Sequence, residues 1–217
     1  LEVNVFGSGA IAIGNLALED QAPTGGGNTY NIAIGHHAGK DVTTGVQNTL
    51  IGGQTGDAIT TGANNTAIGY AALSSEDGHG RNVAIGVQSL FALNAGTDGY
   101  NTAVGFNSGG AITTGVQNTI VGGLAGDAIT TGANNVALGY QSLTAATTSS
   151  FNVSMGSFSM TNNILAARNV GIGYNSLNQL NTGSATDTYN TAVGFTAGGA
   201  ITTGVENNLF GGLAGDA

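Results

Sequence analysis

One phrase of polar and apolar positions recurs along almost the whole chain: an asparagine, three mostly apolar residues, then a glycine. Its asparagines are Asn31, Asn48, Asn65, Asn82, Asn101, Asn118, Asn135, Asn152, Asn169, Asn190 and Asn207. They stand 17 residues apart, except for gaps of 19 after Asn82 and 21 after Asn169. Two degenerate units come first, closing at Gly7 and Gly14, and the one that starts at Ala10 runs 21 residues before Asn31. Such a period is too short for a helix pair or a propeller blade. It fits one coil of a solenoid made of two or three short strands and tight turns. The pattern predicts an all-β chain, a parallel β-solenoid or β-roll of coils of about 17 residues. It forms one repeat domain over 1–217, with coils beginning near 3, 10, 31, 48, 65, 82, 101, 118, 135, 152, 169, 190 and 207. Rungs about 4.8 Å apart would make the clear units a rod roughly 50 Å long.

With the asparagine as position zero, position +3 holds Ile34, Ile51, Ile68, Ile85, Val104, Val121, Leu138, Met155, Ile172, Val193 and Phe210. This column is expected to be the core. Position +2, on the opposite strand face, is small or apolar as well, from Ala33 and Leu50 to Ala192 and Leu209. A strand apolar on both faces needs two covers, and a thin single-chain solenoid has one interior. The second cover is expected to be another copy, giving a homotrimer. Position +8 splits the units into a glycine kind (Gly39, Gly56, Gly109, Gly126, Gly198, Gly215) and a kind with Leu73, Leu90, Leu143, Met160 or Leu177. Where glycine stands in a complete unit, an aliphatic residue follows three positions later: Val42, Ile59, Ile112, Ile129 or Ile201. Core volume is thereby held nearly constant. The asparagine is expected to take left-handed turn geometry and to hydrogen-bond its counterparts on neighbouring rungs. The glycine that closes each phrase, such as Gly69 or Gly139, is read as a tight corner.

Composition narrows the classes further. With 39 glycines and one proline in 217 residues, a helical domain is disfavoured at nearly every turn, and collagen is excluded. Only 7% of residues are charged, too few for charge-driven disorder. The net charge is −9, with Lys40, Arg81 and Arg168 as the only lysine or arginine, so no nucleic-acid or anionic-membrane partner is expected. There is no cysteine, which removes disulfides and thiolate metal sites. No apolar run approaches the roughly 20 residues of a membrane span, so no membrane insertion is expected. The chain starts at Leu1 and stops at Ala217, where sister units continue with Ile-Thr-Thr-Gly, as in Ile129 to Gly132. It is read as part of something longer, its open end covered by flanking sequence or other chains.

The phrases Asn65-Thr66-Ala67-Ile68-Gly69-Tyr70-Ala71-Ala72-Leu73 and Asn135-Val136-Ala137-Leu138-Gly139-Tyr140-Gln141-Ser142-Leu143 resemble the repeats of phage tail-fibre proteins, often ones ending in an endosialidase-type intramolecular chaperone. They also resemble the head repeats of trimeric autotransporter adhesins. The resemblance implies a trimeric β-solenoid shaft on a virion, holding a receptor-binding tip, with other fibre or baseplate proteins as partners. The alternative is a bacterial surface adhesin or extracellular filament. Adhesin head repeats run nearer 14 residues, which favours the phage fibre. No chaperone domain, coiled-coil stalk or anchor appears in this chain.

The search for chemistry returns little. There is no phosphate-binding loop, and neither a cofactor nor a catalytic residue is expected, so the chain is read as a non-enzyme. His36 and His37 are adjacent, His79 is more than two units away, and no carboxylate is read at ligand spacing from them, so no metal is expected. Asp57, Asp127 and Asp216, at one place in three glycine units, are read as turn caps. Glu19-Asp20 and Glu76-Asp77 are paired carboxylates in loops without supporting structure. Threonine pairs such as Thr60-Thr61 and Thr130-Thr131 are broken in the leucine units, of which only the one of Leu143 keeps a pair, Thr147-Thr148, so they form no continuous ice-binding plane. The insertions are more informative, because extra residues must bulge outward. They fall within Leu18 to Tyr30, Leu93 to Tyr100 and Leu180 to Tyr189. Tyr30, Asp98, Tyr100, Asp187 and Tyr189 are the expected contacts to a cell-surface glycan or protein receptor, since an exposed aromatic ring can stack on a sugar.

Overall fold

The computed structural model describes residues 9–23 and 27–216; the coil expected near residue 3 lies outside them. The chain is an all-β parallel solenoid. Its strands are β1 (Ile11–Ile13), β2 (Ile32–Ile34), β3 (Thr49–Ile51), β4 (Thr66–Ile68), β5 (Val83–Ile85), β6 (Thr102–Val104), β7 (Thr119–Val121), β8 (Val136–Leu138), β9 (Val153–Met155), β10 (Ala166–Ala167), β11 (Val170–Ile172), β12 (Thr186–Asp187), β13 (Thr191–Val193) and β14 (Asn208–Phe210). Twelve of them, all but β10 and β12, stack in chain order into one sheet, and β10 and β12 pair beside it. The repeat sets the register, so equivalent positions face each other: Thr66 opposes Val83, Ala67 opposes Ala84 and Ile68 opposes Ile85.

Most coils hold one three-residue strand, where two or three were expected. The reason is three left-handed residues per coil, which break extended backbone. In the coil of Asn65 they are Asn64 (φ 61°), Ala71 (φ 52°) and Leu73 (φ 53°). Turns nevertheless stack as strands do. Thr66 N–H donates to the Asn82 carbonyl at 2.8 Å and Gly69 N–H to the Ile51 carbonyl at 2.8 Å. Outside the strand, Ala71 N–H reaches the Gly53 carbonyl at 2.9 Å and Leu73 N–H the Ser89 carbonyl at 3.0 Å.

The two apolar columns are the reverse of the expected pair. Position +2 is the interior: Ala33, Leu50, Ala67, Ala84, Ala103, Ile120, Ala137 and Ala192 are 0% exposed. Position +3, expected in the core, lies on the outer face, and its side chains from Ile34 to Val193 are only partly buried or exposed. The interior is narrow. It is filled from the opposite wall by positions +8 and +11, as with Leu73 or Ile59, so the sheet contributes mostly alanine. The compensation at +8 is steric: a Cβ on Gly56 would lie 2.8 Å from Ile59 Cδ1 and 2.8 Å from Leu50 Cδ2.

The asparagine column is buried and continuous, but it is not the left-handed position. That role belongs to the preceding residue, as at Gln117 (φ 60°) and Asn134 (φ 59°). Asn118 Oδ1 accepts from Asn135 N–H at 3.0 Å and from Asn135 Nδ2 at 3.1 Å, while Asn118 Nδ2 donates to the Gly132 carbonyl of its own coil at 3.0 Å. In such a regular coil the amide links two rungs and clasps its own. The corner glycine at +4 has φ near that of Gly69, 130°, and a Cβ there would sit 2.6 Å from the Gly86 carbonyl carbon of the next rung. No side chain fits that stack.

Candidate functional site

The two fully described insertions build the same device from the same residue types. The residue before Asn82 is Arg81 and the residue before Asn169 is Arg168; one coil later, Tyr100 and Tyr189 hold the equivalent place. All four adopt left-handed backbone, which aims their side chains outward from one edge of the rod. Each insertion then supplies an aspartate two residues before its tyrosine. Arg81 Nε pairs with Asp98 Oδ2 at 2.8 Å, and Arg81 Nη1 donates to Tyr100 Oη at 3.1 Å. Asp98 Oδ1 also accepts from Gly80 N–H at 3.2 Å, fastening the bulge to the rung below. In the longer insertion, Arg168 Nε pairs with Asp187 Oδ2 at 2.9 Å, and Tyr189 Oη donates to the same oxygen at 3.3 Å. Arg168 Cζ lies 4.7 Å from the centre of the Phe151 ring on the rung below.

Four of the five expected contact residues, Asp98, Tyr100, Asp187 and Tyr189, therefore fall into two local clusters. The fifth, Tyr30, follows an insertion that lies partly outside the described residues. Its ring packs over Gly9, and its hydroxyl accepts from Asn28 Nδ2 at 2.8 Å. All three tyrosines stay half exposed. Sequence reasoning missed the two arginines. The available signal was their position: with so few cations in the chain, both arginines stand directly before an asparagine that opens an inserted coil. The remaining cation, Lys40, pairs with Asp41 at 2.8 Å, a hydrogen bond that holds its ammonium above the usual lysine range.

Beside the third insertion runs a groove of about 570 Å³, lined among others by Ser149, Ser150, Phe151, Arg168, Thr186 and Asp187. Ser149 Oγ is buried there without a hydrogen-bond partner. Hydroxyls, one aromatic edge and a charge pair give this groove the donors and acceptors that a polyhydroxylated ligand needs.

A second exposed feature recurs on five of the coils. Next to the outward +3 column, one residue past the corner glycine, stand Tyr70, Phe106, Tyr140, Tyr174 and Phe195, all about half exposed. Tyr140, Phe158, Tyr174 and Phe195 form a chain of ring contacts with centroids 5.3–5.8 Å apart. The ring contacts thus run through four consecutive coils beside the +3 column.

The other candidates resolve in different ways. The hydroxyls of Thr43, Thr60, Thr113 and Thr130 donate to carbonyls of the next coil, so they serve rung stacking. Burial pushes the carboxyls of Asp57 and Asp127 above their usual range, and one oxygen of each is buried without a partner. His36 and His37 stack with ring centres 3.8 Å apart. His79, read as having no carboxylate at ligand spacing, in fact lies with Glu76 and Asp77, their ligand atoms all within 4.8 Å of one another. The turn from Glu76 to His79 folds back on itself, which the spacing alone does not reveal.

Comparison with known proteins returns no matching family model, no matching curated protein and no matching solved structure.

Proposed function

We propose that this chain is a shaft segment of a phage tail fibre, a virion component in which three copies pack side by side and hold a distal receptor-binding tip away from the particle. The observation that carries this reading is the outward apolar face: the apolar +3 column repeats on every clear rung of a rod-shaped stack, and on five rungs a half-exposed aromatic ring flanks it. An exposed apolar surface of that extent calls for a cover, and a copy of the same chain presents the same repeat spacing at every rung. The work of such a segment is reach and stiffness. Its partners are its own copies and neighbouring fibre or baseplate proteins.

A second reading, a bacterial surface adhesin of the trimeric autotransporter kind, rests on the same coils. The groove at the third insertion supports a contact to a cell-surface glycan in either setting. Immunogold electron microscopy with antibodies against the recurring Gly-Ala-Ile-Thr-Thr-Gly phrase, as at Gly110 to Gly115, separates the two. Gold along fibres of phage particles is the expected result. Gold on cell envelopes without particles would replace the fibre with the adhesin.

A further inference from the structure

We propose that Glu76, Asp77 and His79 form a binding site for one divalent transition-metal ion of the zinc type. The core holds an anomaly at this corner. Position +11 is filled by Ile59 in the coil below and by Leu93 in the coil above, both fully buried. Between them stands Glu76, also 0% exposed. A carboxylate taken out of water is costly unless a cation or hydrogen bonds compensate it. Only part of that compensation is present. Glu76 Oε1 accepts from His79 N–H at 3.1 Å, and the Ala95 amide also favours the ionised carboxylate. By hydrogen-bond geometry, Glu76 Oε2 and His79 Nδ1 are both buried without a partner.

The same corner elsewhere in the rod shows that a glutamate is not needed to shape it. Asn163 occupies the equivalent position; its Oδ1 accepts from Ala166 N–H at 2.9 Å and its Nδ2 donates to the Ala166 carbonyl at 3.0 Å. That amide satisfies both ends of the turn. Glu76 keeps the first bond, cannot make the second when ionised, and adds a negative charge. None of the chain's lysines or arginines answers it, because Lys40, Arg81 and Arg168 pair with Asp41, Asp98 and Asp187.

A metal ion would be held by His79 Nδ1 together with the Glu76 carboxylate, and would balance the buried charge. His79 Nδ1 lies 3.8 Å from Glu76 Oε1, a spacing that two ligands on one ion can adopt at metal–ligand distances of about 2.0–2.2 Å. Asp77 is exposed and free to swing its carboxylate onto the third position. One borderline imidazole beside two hard carboxylates is a donor set that zinc and its neighbours accept. Calcium takes about six to eight oxygens, more than this corner offers. Three protein ligands would leave a coordination position open to water or to an incoming group. The ion would also brace residues 76–80, on which Asp98 of the second insertion is docked through Gly80 N–H.

The test uses the whole 217-residue chain. After chelator treatment and removal of the chelator, zinc chloride is titrated in by calorimetry, and the ion count is read by native mass spectrometry. The expected result is one zinc per chain and a raised thermal midpoint. Glu76→Gln, nearly isosteric with the native side chain, and Asp77→Asn, at an exposed position, should each weaken zinc at least about tenfold while circular dichroism stays unchanged. His79→Asn should do the same, and a His36→Asn, His37→Asn double variant should bind as the parent does. Failure of the parent to bind zinc, or binding of calcium instead, would overturn the site. So would zinc affinity that survives all three substitutions or disappears with the His36/His37 pair.

Discussion

The regular coils of Asn118 and Asn135 and the enlarged coils of Asn82 and Asn169 use the same wall of backbone hydrogen bonds but close their cross-section differently. In the regular coils the asparagine amide clasps the carbonyl 14 residues on, Gly132 for Asn118 and Ser149 for Asn135. In the enlarged coils extra residues push that carbonyl away. Asn82 and Asn169 instead turn back to the carbonyls of Gly80 and Ala167. The interior changes in step. A regular coil buries one large residue across +8 and +11, as in Gly126 with Ile129 or Leu143 with Ala146, while the enlarged coils bury two, Leu90 with Leu93 and Leu177 with Leu180. Glu76 beside Leu73 and Asn163 beside Met160 are exceptions among the regular coils, each turning a polar group to the amide three residues on, that of His79 and that of Ala166. An insertion is thus absorbed by widening the rung and filling it, while the sheet beside it keeps its register.

Substitutions can break this contrast, and the largest effect is expected at the glycine corner. Gly122→Ala places a Cβ 2.6 Å from the Gly139 carbonyl carbon at φ 138°, and should cost about 4 kcal/mol or more. Gly96→Ala, in the second insertion at φ 67° with nothing within 4 Å, should cost only about 1 kcal/mol. Guanidinium denaturation at one chain concentration compares them directly. Next comes the amide ladder. Asn118→Ala orphans the buried Asn135 N–H and the Gly132 carbonyl, and a loss of about 2–3 kcal/mol is expected in the same assay.

The widening itself is testable by excision. Removing Gly96 and Thr97 restores the 17-residue spacing but leaves two leucines in a regular-sized rung, an overpacking worth about 1–3 kcal/mol. Leu93→Ala should then be less harmful in the shortened chain than in the parent, a coupling that a double-mutant cycle reads. Arg168→Ala should change stability by less than about 1 kcal/mol, because its pair with Asp187 is close to half exposed on both sides. Under the proposed glycan contact, its larger effect is expected in binding at the groove.

The smallest and most diffuse effect is on pH. Burial raises the carboxyls of Glu76, Asp57 and Asp127 above their unfolded values. The folded state therefore holds protons that the unfolded chain has already released. Stability is greatest below the unfolded carboxylate range and is lost as pH rises through the folded values. The metal-free chain should melt higher near pH 4, at the unfolded carboxylate range, than at pH 7, and a Glu76→Gln, Asp57→Asn, Asp127→Asn variant should flatten that slope.

Much of this architecture was legible in the sequence. Period, insertions, parallel stacking and the buried asparagine and glycine columns all follow from identical residues at fixed spacing. Which apolar column faces inward did not, because a three-residue strand has only one alternation and both faces were apolar. A signal for it existed: position +2 is large only at Leu50, Ile120 and Leu209, each in a unit whose +8 residue is glycine. Residues that trade volume share an interior. The left-handed residue before each asparagine was hidden because its identity varies from Gln117 to Arg168 to Tyr189; backbone demands it and the side chain does not reveal it. The arginine clusters and the Glu76 corner depend on contacts between coils and within a folded turn, which lie outside any repeat pattern.

The central claim, that the outward apolar column is covered by copies of the chain, is tested most directly by the native mass in solution at micromolar concentration. Light scattering on a size-exclusion column should return three times the 21.2 kDa chain mass. A stable, soluble species of 21.2 kDa with β circular dichroism would contradict it, leaving a rod whose apolar face needs no cover.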